Sequence, residues 1–189
     1  MTASRMTLIA TPGQTVGPFF HDSLRYGGDR DLVPAGSPGA VILRGRVLDG
    51  AGDPVPDALV EIWQARPDGT IPRVPGSLCR DGRTFTGFGR SATGPDGDYS
   101  FRTLVPGPTE PGRAAFYAVT VFARGLLDRL FTRAYLPGDA AALAADPLLR
   151  SLPAERRRTL VASPDERGLV FDLRLQGPDE TVFLRYREG

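Results

Sequence analysis

Four Asp-Gly pairs, Asp49-Gly50, Asp68-Gly69, Asp81-Gly82 and Asp96-Gly97, punctuate this chain between short apolar runs. Such pairs tolerate the positive φ that tight hairpin turns demand. The flanking runs read as strands at 41–48, 59–63, 99–104, 114–122, 169–175 and 181–186. Gly (23) and Pro (18) are spread along the chain, which leaves no room for long helices. In 114–122, Phe116, Ala118, Thr120 and Phe122 share one face, and Tyr117, Val119 and Val121 share the other. Both faces are largely apolar, which places this strand centrally, between layers. Helical pattern is confined to 139–149, limited by Pro147, and to 153–160, where proline opens the turn and three arginines close it. The prediction is an all-β, two-sheet antiparallel sandwich with short helical insertions. Residues 1–10 read as a flexible arm, 26–38 as an irregular loop, and 11–189 as one domain.

The composition narrows the function classes. A net charge of +1 supplies no electrostatic footprint for nucleic acid. One cysteine, Cys79, excludes an internal disulfide and a cysteine-based zinc cage, and in a polar loop it reads as inert. No apolar run approaches the ~20 residues of a membrane span, and the first ten residues lack a secretory pattern, so the expected location is the cytoplasm. All 23 basic residues are arginine, so every cation is a planar, permanently charged fork suited to carboxylates.

Several blocks then stand in a telling order. They are TPGQTVGPFF from Thr11, GRVLDGAGDPVPDALVEIWQ from Gly45, GFGRSATGPDGDYSFRTLVPGP from Gly87, VFARGLL from Val121 and FTRAY from Phe131. In that order they resemble the intradiol ring-cleavage dioxygenases, over roughly Thr11 to Tyr186. The likeness is to the non-catalytic chains of the heteromeric members that act on protocatechuate. It implies a prealbumin-like sandwich. It also implies a ferric ion, held in catalytic chains by two tyrosinates and two histidines. Carried over by motif, those four positions are Ile71, Thr109, Phe116 and Ala118 here, and none of these side chains can ligate iron. His21 is the only histidine, so a two-histidine site within this chain is impossible. The five tyrosines, Tyr26, Tyr99, Tyr117, Tyr135 and Tyr186, lie outside the two expected ligand loops.

The resemblance therefore implies no catalytic residue and no metal ligand in this chain. It implies instead a catalytic beta subunit as partner, with ferric iron held by that partner, protocatechuate and dioxygen at a shared pocket, and a higher symmetric oligomer of alpha-beta pairs. Thr15, Gly17 and Pro18 match positions that line the partner's pocket, while Phe19 stands where a tyrosine is often found. Arg133 matches an arginine that approaches the partner's pocket, where a fixed cation would steer and hold the carboxylate of protocatechuate. Packing alone would also explain the 14–19 segment, and an intersubunit salt bridge would explain Arg133. His21 reads as a structural or interface hydrogen-bonder. Trp63 reads as core, and Arg156, Arg157 and Arg158 as a solvated helix end or an interface contact. Phe19, Phe20, Leu126, Leu127, Phe131 and Val182-Phe183-Leu184 are candidates for an apolar interface. A free-standing transthyretin-like β-sandwich binding module is the competing reading, because GRVLDGAGDPVPDALVEI followed by TGPDGDYSF fits it too. Such modules are shorter and need neither QTVGPFF nor VFARGLL.

Overall fold

The computed structural model describes residues 12–74 and 80–186. The expected 1–10 arm and Cys79 lie outside these residues. In chain order the elements are α1 (Phe20–Ser23), β1 (Ala40–Leu48), β2 (Leu59–Trp63), β3 (Phe88–Ala92), β4 (Asp98–Leu104), β5 (Phe116–Phe122) and β6 (Leu130–Tyr135). Then follow α2 (Ala140–Ala145), α3 (Pro147–Arg150), α4 (Ala154–Arg158), β7 (Ser163–Asp165), β8 (Gly168–Val170) and β9 (Leu173–Arg174). One sheet has the order β4-β1-β8-β7, with β9 also on β1, and the other has the order β3-β2-β5-β6. Residues of both sheets meet in one core, including Leu43, Val47, Phe101 and Leu173 from the first and Val60, Ile62, Tyr117 and Val121 from the second. All eight are fully buried. Truncating one of the aliphatic members to alanine costs about 2–5 kcal/mol.

The all-β class holds, with corrections to its details. The first sheet is mixed, because β1 pairs in parallel with β8 and β9. The chain leaves β6, passes through α2, α3 and α4, and returns alongside β1 in the same direction, as a long crossover permits. None of the Asp-Gly pairs forms a tight hairpin turn between paired strands. Two lie in the long β2–β3 connection, and the others sit where the chain crosses between sheets. At the first of them the positive φ falls on Gly52 rather than Gly50. The run 181–186 is not a strand; it meets β6 through an isolated bridge between Leu184 and Phe131 and a bond from the Thr132 hydroxyl to the Val182 carbonyl at 2.8 Å.

The expected strand 169–175 is split, for a visible reason. The Arg46 N–H donates to the Asp172 carboxylate at 2.9 Å instead of to a ladder carbonyl. The Phe171 carbonyl meanwhile accepts the buried Tyr99 hydroxyl. That carbonyl lies so close to β1 that a Cβ on Gly45 would sit 1.9 Å from it. Gly45 is thus required for space.

The helical region is organised by two aspartates. Asp139 caps α2, accepting the Ala142 N–H at 2.9 Å. Buried Asp146 ends α2 and caps α3, its Oδ1 accepting the N–H groups of Leu148 (2.9 Å) and Leu149 (3.1 Å). The same oxygen accepts the Tyr135 hydroxyl at 3.0 Å. Two short helices therefore replace the single stretch expected at 139–149, because Pro147 takes the first position of a new helix.

Two outcomes follow from this packing. Gly45→Ala is expected to cost about 3 kcal/mol or more, read as a lower midpoint in urea unfolding, since backbone rather than a flexible side chain blocks the new methyl. Burial raises the Tyr135 phenol to about 12 against an opposing effect of Arg133, and burial raises Tyr99 and Tyr117 as well. An unfolded phenol loses its proton near pH 10 while these hold theirs. Stability should therefore fall as pH rises from about 10 to about 12, and fall less in Tyr135→Phe, measured by unfolding at stepped pH.

Candidate functional site

The outer face of the β3-β2-β5-β6 sheet carries the site. Alternation along β5 turns Tyr117, Val119 and Val121 into the core and leaves Phe116, Ala118, Thr120 and Phe122 half-buried on the other side. Pairing places Trp63, Ala118 and Arg133 in one row across β2, β5 and β6. Two loops rise over this row. After β2, buried Gln64 donates to the Leu104 carbonyl at 2.9 Å and accepts the Thr103 hydroxyl, which fixes where the loop begins. The Gly107 N–H then donates to the Arg66 carbonyl at 2.9 Å. A Cβ on Gly107 would sit 2.2 Å from the Pro67 carbonyl oxygen, so the two loops interlock only because that position lacks a side chain.

The result is a cavity of about 160 Å³ whose lining includes Trp63, Ile71, Thr109, Phe116 and Ala118. All four positions carried over from the iron-ligand pattern converge on this one space. Their side chains do not fit a ferric ion. Ile71, Phe116 and Ala118 offer no donor atom, Thr109 offers one neutral hydroxyl, and the neighbouring charge is a cation. Among the described residues no group of three or more His, Cys, Asp or Glu is placed to hold a metal.

Arg133 is that cation. Its guanidinium stacks 4.2 Å above the Phe116 ring and donates to the Tyr135 hydroxyl at 3.0 Å. Among the described residues no carboxylate lies within ion-pair distance of it. Tyr135 is a residue that sequence reasoning missed. Its ring lies 5.5 Å from Phe116, and its hydroxyl, bonded to Arg133 and Asp146, is held as a neutral phenol by burial. Alternation along β6 sets it on the same face as Arg133, but only the cross-strand register brings it to Phe116. Trp63 is a correction: it is 45% exposed and lines the cavity, because it sits on the outer face at the end of β2.

Thr15, Gly17 and Pro18 lie on the same sheet face, farther along β6. They are exposed. The Gly125 N–H donates to the Thr15 hydroxyl at 2.7 Å, the Phe20 N–H to the Gly17 carbonyl at 3.2 Å, and Phe20 stacks on Phe122 at 5.4 Å. This segment borders a groove of about 1150 Å³, lined in part by Val16, Phe20, Leu127 and Phe131. Phe131 and Arg133 share the outer face of β6, so the groove and the cavity are neighbours. Phe19 and Leu127 are exposed, as an interface would need, whereas Val182 belongs to a buried cluster under the helices. His21 lies elsewhere, in a polar cleft with Asp22, Asp29 and Asp31; its Nε2 is 3.7 Å from Asp22. Arg156 and Arg157 are tied to this chain's own carbonyls, those of Glu180 (2.7 Å) and Leu152 (2.8 Å). No helix among the described residues is long and apolar enough to cross a membrane.

A family model described as "Dioxygenase" matches residues 16–177. The chain is 43% identical to the protocatechuate 3,4-dioxygenase alpha chain of Burkholderia cepacia, covering 94% of this chain and 98% of that one. It is also 32% identical to the beta chain of the Burkholderia cepacia enzyme, over 91% of this chain and 78% of that one. Among solved structures, the dioxygenase domain of a dioxygenase carbohydrate-binding fusion from Streptomyces sp. SirexAA-E superposes with a TM-score of 0.58 at 28% identity, covering 88% of this chain and 98% of that chain. The chain belongs to the intradiol ring-cleavage dioxygenase family.

Proposed function

We propose that this chain is the non-catalytic alpha subunit of a protocatechuate 3,4-dioxygenase. In this reading it pairs with a beta subunit that holds ferric iron and cleaves protocatechuate with dioxygen to 3-carboxy-cis,cis-muconate. One observation carries the proposal: the four ligand positions meet in a single cavity, and all four are occupied by side chains that cannot bind the metal. Near full-length similarity to an alpha chain supports the same reading, and it disfavours a free-standing transthyretin-like module, which would not need the whole of this chain. The prealbumin-like form of the two sheets, the single domain at 11–189, the cytoplasmic location and a higher symmetric assembly of alpha-beta pairs belong to the same proposal.

What this chain contributes is shape and charge. Thr15, Gly17 and Pro18 would line the partner's substrate pocket, held in a fixed turn by the bonds from Gly125 and Phe20. Arg133 would face the substrate carboxylate. A cation and a carboxylate ~5 Å apart at an effective dielectric near 20 gain roughly 3 kcal/mol before desolvation is charged against them. Stacking on Phe116 and the bond to Tyr135 keep the guanidinium in one orientation, so less side-chain entropy is lost when substrate arrives. Exposed Phe19 and Leu127 supply apolar surface of the sort a permanent subunit contact covers.

Expressed alone, the chain should be colourless, free of stoichiometric iron and inactive. Co-expressed with its beta partner it should give an iron-bearing complex that consumes protocatechuate, and full activity of the beta chain alone would sink the proposal. In that complex Arg133→Ala should raise KM for protocatechuate about tenfold, with iron content unchanged. An unaltered KM would instead favour a purely interfacial arginine.

A further inference from the structure

On the subunit reading above, we propose that Asp57, Arg124 and Gly125 are positioning residues, which together hold the Thr15 hydroxyl in place at the partner's substrate pocket. Thr15 lies in an exposed stretch that belongs to no helix or strand, so its own part of the chain gives it little support. The support comes from the turn after β5, where the Gly125 N–H donates to Thr15 Oγ1 at 2.7 Å. With Oγ1 accepting that bond, its single proton is free to be donated. The Val16 carbonyl, its acceptor within this chain, is 3.4 Å away, a long contact. Thr15 is thus presented as a donor to an oxygen atom outside this chain.

The direction of the Gly125 N–H is set by the type of turn. Residues 123–126 are closed by the Leu126 N–H, which donates to the Ala123 carbonyl at 3.3 Å. Gly125 has a φ of +86°, and no residue other than glycine has a positive φ among the described residues. Negative φ at Arg124 followed by positive φ at Gly125 is the type II pattern. In type I the ψ of the first central residue differs by ~150°, which would swing the Gly125 N–H away from Thr15. A Cβ on Gly125 would meet nothing within 4 Å, so glycine is needed there for its conformation and not for space. Arg124, the other central residue, is exposed, but its Nε is paired with the carboxylate of Asp57, which is buried just before β2. The ion pair pins the turn to the sheet, and the left-handed glycine aims its amide at Thr15.

Hydrogen exchange on the full chain reads this clamp without the partner. The Gly125 amide should be protected, and Thr15→Val and Arg124→Gln should each speed its exchange about tenfold. Arg124 is exposed, so Arg124→Gln should fold even if changes at buried Asp57 do not. In the complex with the beta subunit, Arg124→Gln and Gly125→Ala should each raise KM for protocatechuate about fivefold, with kcat and iron content unchanged. Gly125→Asn, which accepts positive φ more readily, should stay within about twofold of the parent. The inference is overturned by an unprotected Gly125 amide, by parent-like exchange in Arg124→Gln, or by a parent KM in Arg124→Gln or Gly125→Ala. It is overturned equally if Gly125→Asn is as impaired as Gly125→Ala, or if the variants lose kcat or folded protein at constant KM, as a purely structural role would give. Should Arg133→Ala raise KM while these variants do not, the subunit reading stands and the clamp alone fails. A beta chain fully active by itself overturns both.

Discussion

The alternation of β5 is the constraint on which the molecule depends. This strand lies between β2 and β6, so each of its residues faces either the shared core or the outer side of the sheet. Tyr117, Val119 and Val121 close the core against the opposite sheet, and Phe116, Ala118, Thr120 and Phe122 form the outer surface. Side chains repeat every two residues, so a slip of one position would exchange the two sets. It would bring the tyrosine out and two phenylalanines in, against a core already filled. Register is therefore strongly specified, and with it the row Trp63, Ala118, Arg133.

That outer face is divided along its length. At one end Phe122 receives Phe20 of α1, which fixes the N-terminal segment. At the other, Phe116 and Tyr135 lie beneath α2, α3 and α4, where Asp146 joins a helix cap to the Tyr135 hydroxyl through one oxygen. Between these ends, among the described residues, the two interlocked loops cover the sheet, and the cavity is the remaining space. On the proposed reading, this division is what would let the ligand positions change without disturbing the fold. Ile71, Thr109 and Ala118 belong to neither buried cluster and Phe116 only packs against the edge of one, so different side chains at these positions would leave most folding interactions intact. A buried polar network could not be dismantled so cheaply, because each orphaned partner costs about 1–3 kcal/mol.

Much of the scaffold was legible because it rests on local pattern. The strand at 59–63 matches β2, and those at 41–48, 99–104 and 114–122 match β1, β4 and β5 to within about two residues. The strand β3 gave no such signal. Its sequence FGRSA has neither alternation nor β-branched residues, and it is a strand because β2 lies beside it, with Arg90 bonded to Glu61 across the pair at 2.9 Å. Trp63 was misread for a related reason. Bulk and hydrophobicity argue for burial, but its place on the outer face at the end of β2 overrides both.

The sequence by itself determined the all-β class, the strands β1, β2, β4 and β5, and a supply of a single histidine, because composition and alternation are read locally. Only the tertiary structure decided that four positions drawn from two loops and a strand share one cavity, that Arg133 lies over Phe116 beside it, and that β1 takes parallel partners. The physical reason is range. Composition and alternation act over a few residues and can be read locally, whereas convergence depends on pairings between segments tens of residues apart, which no single segment encodes.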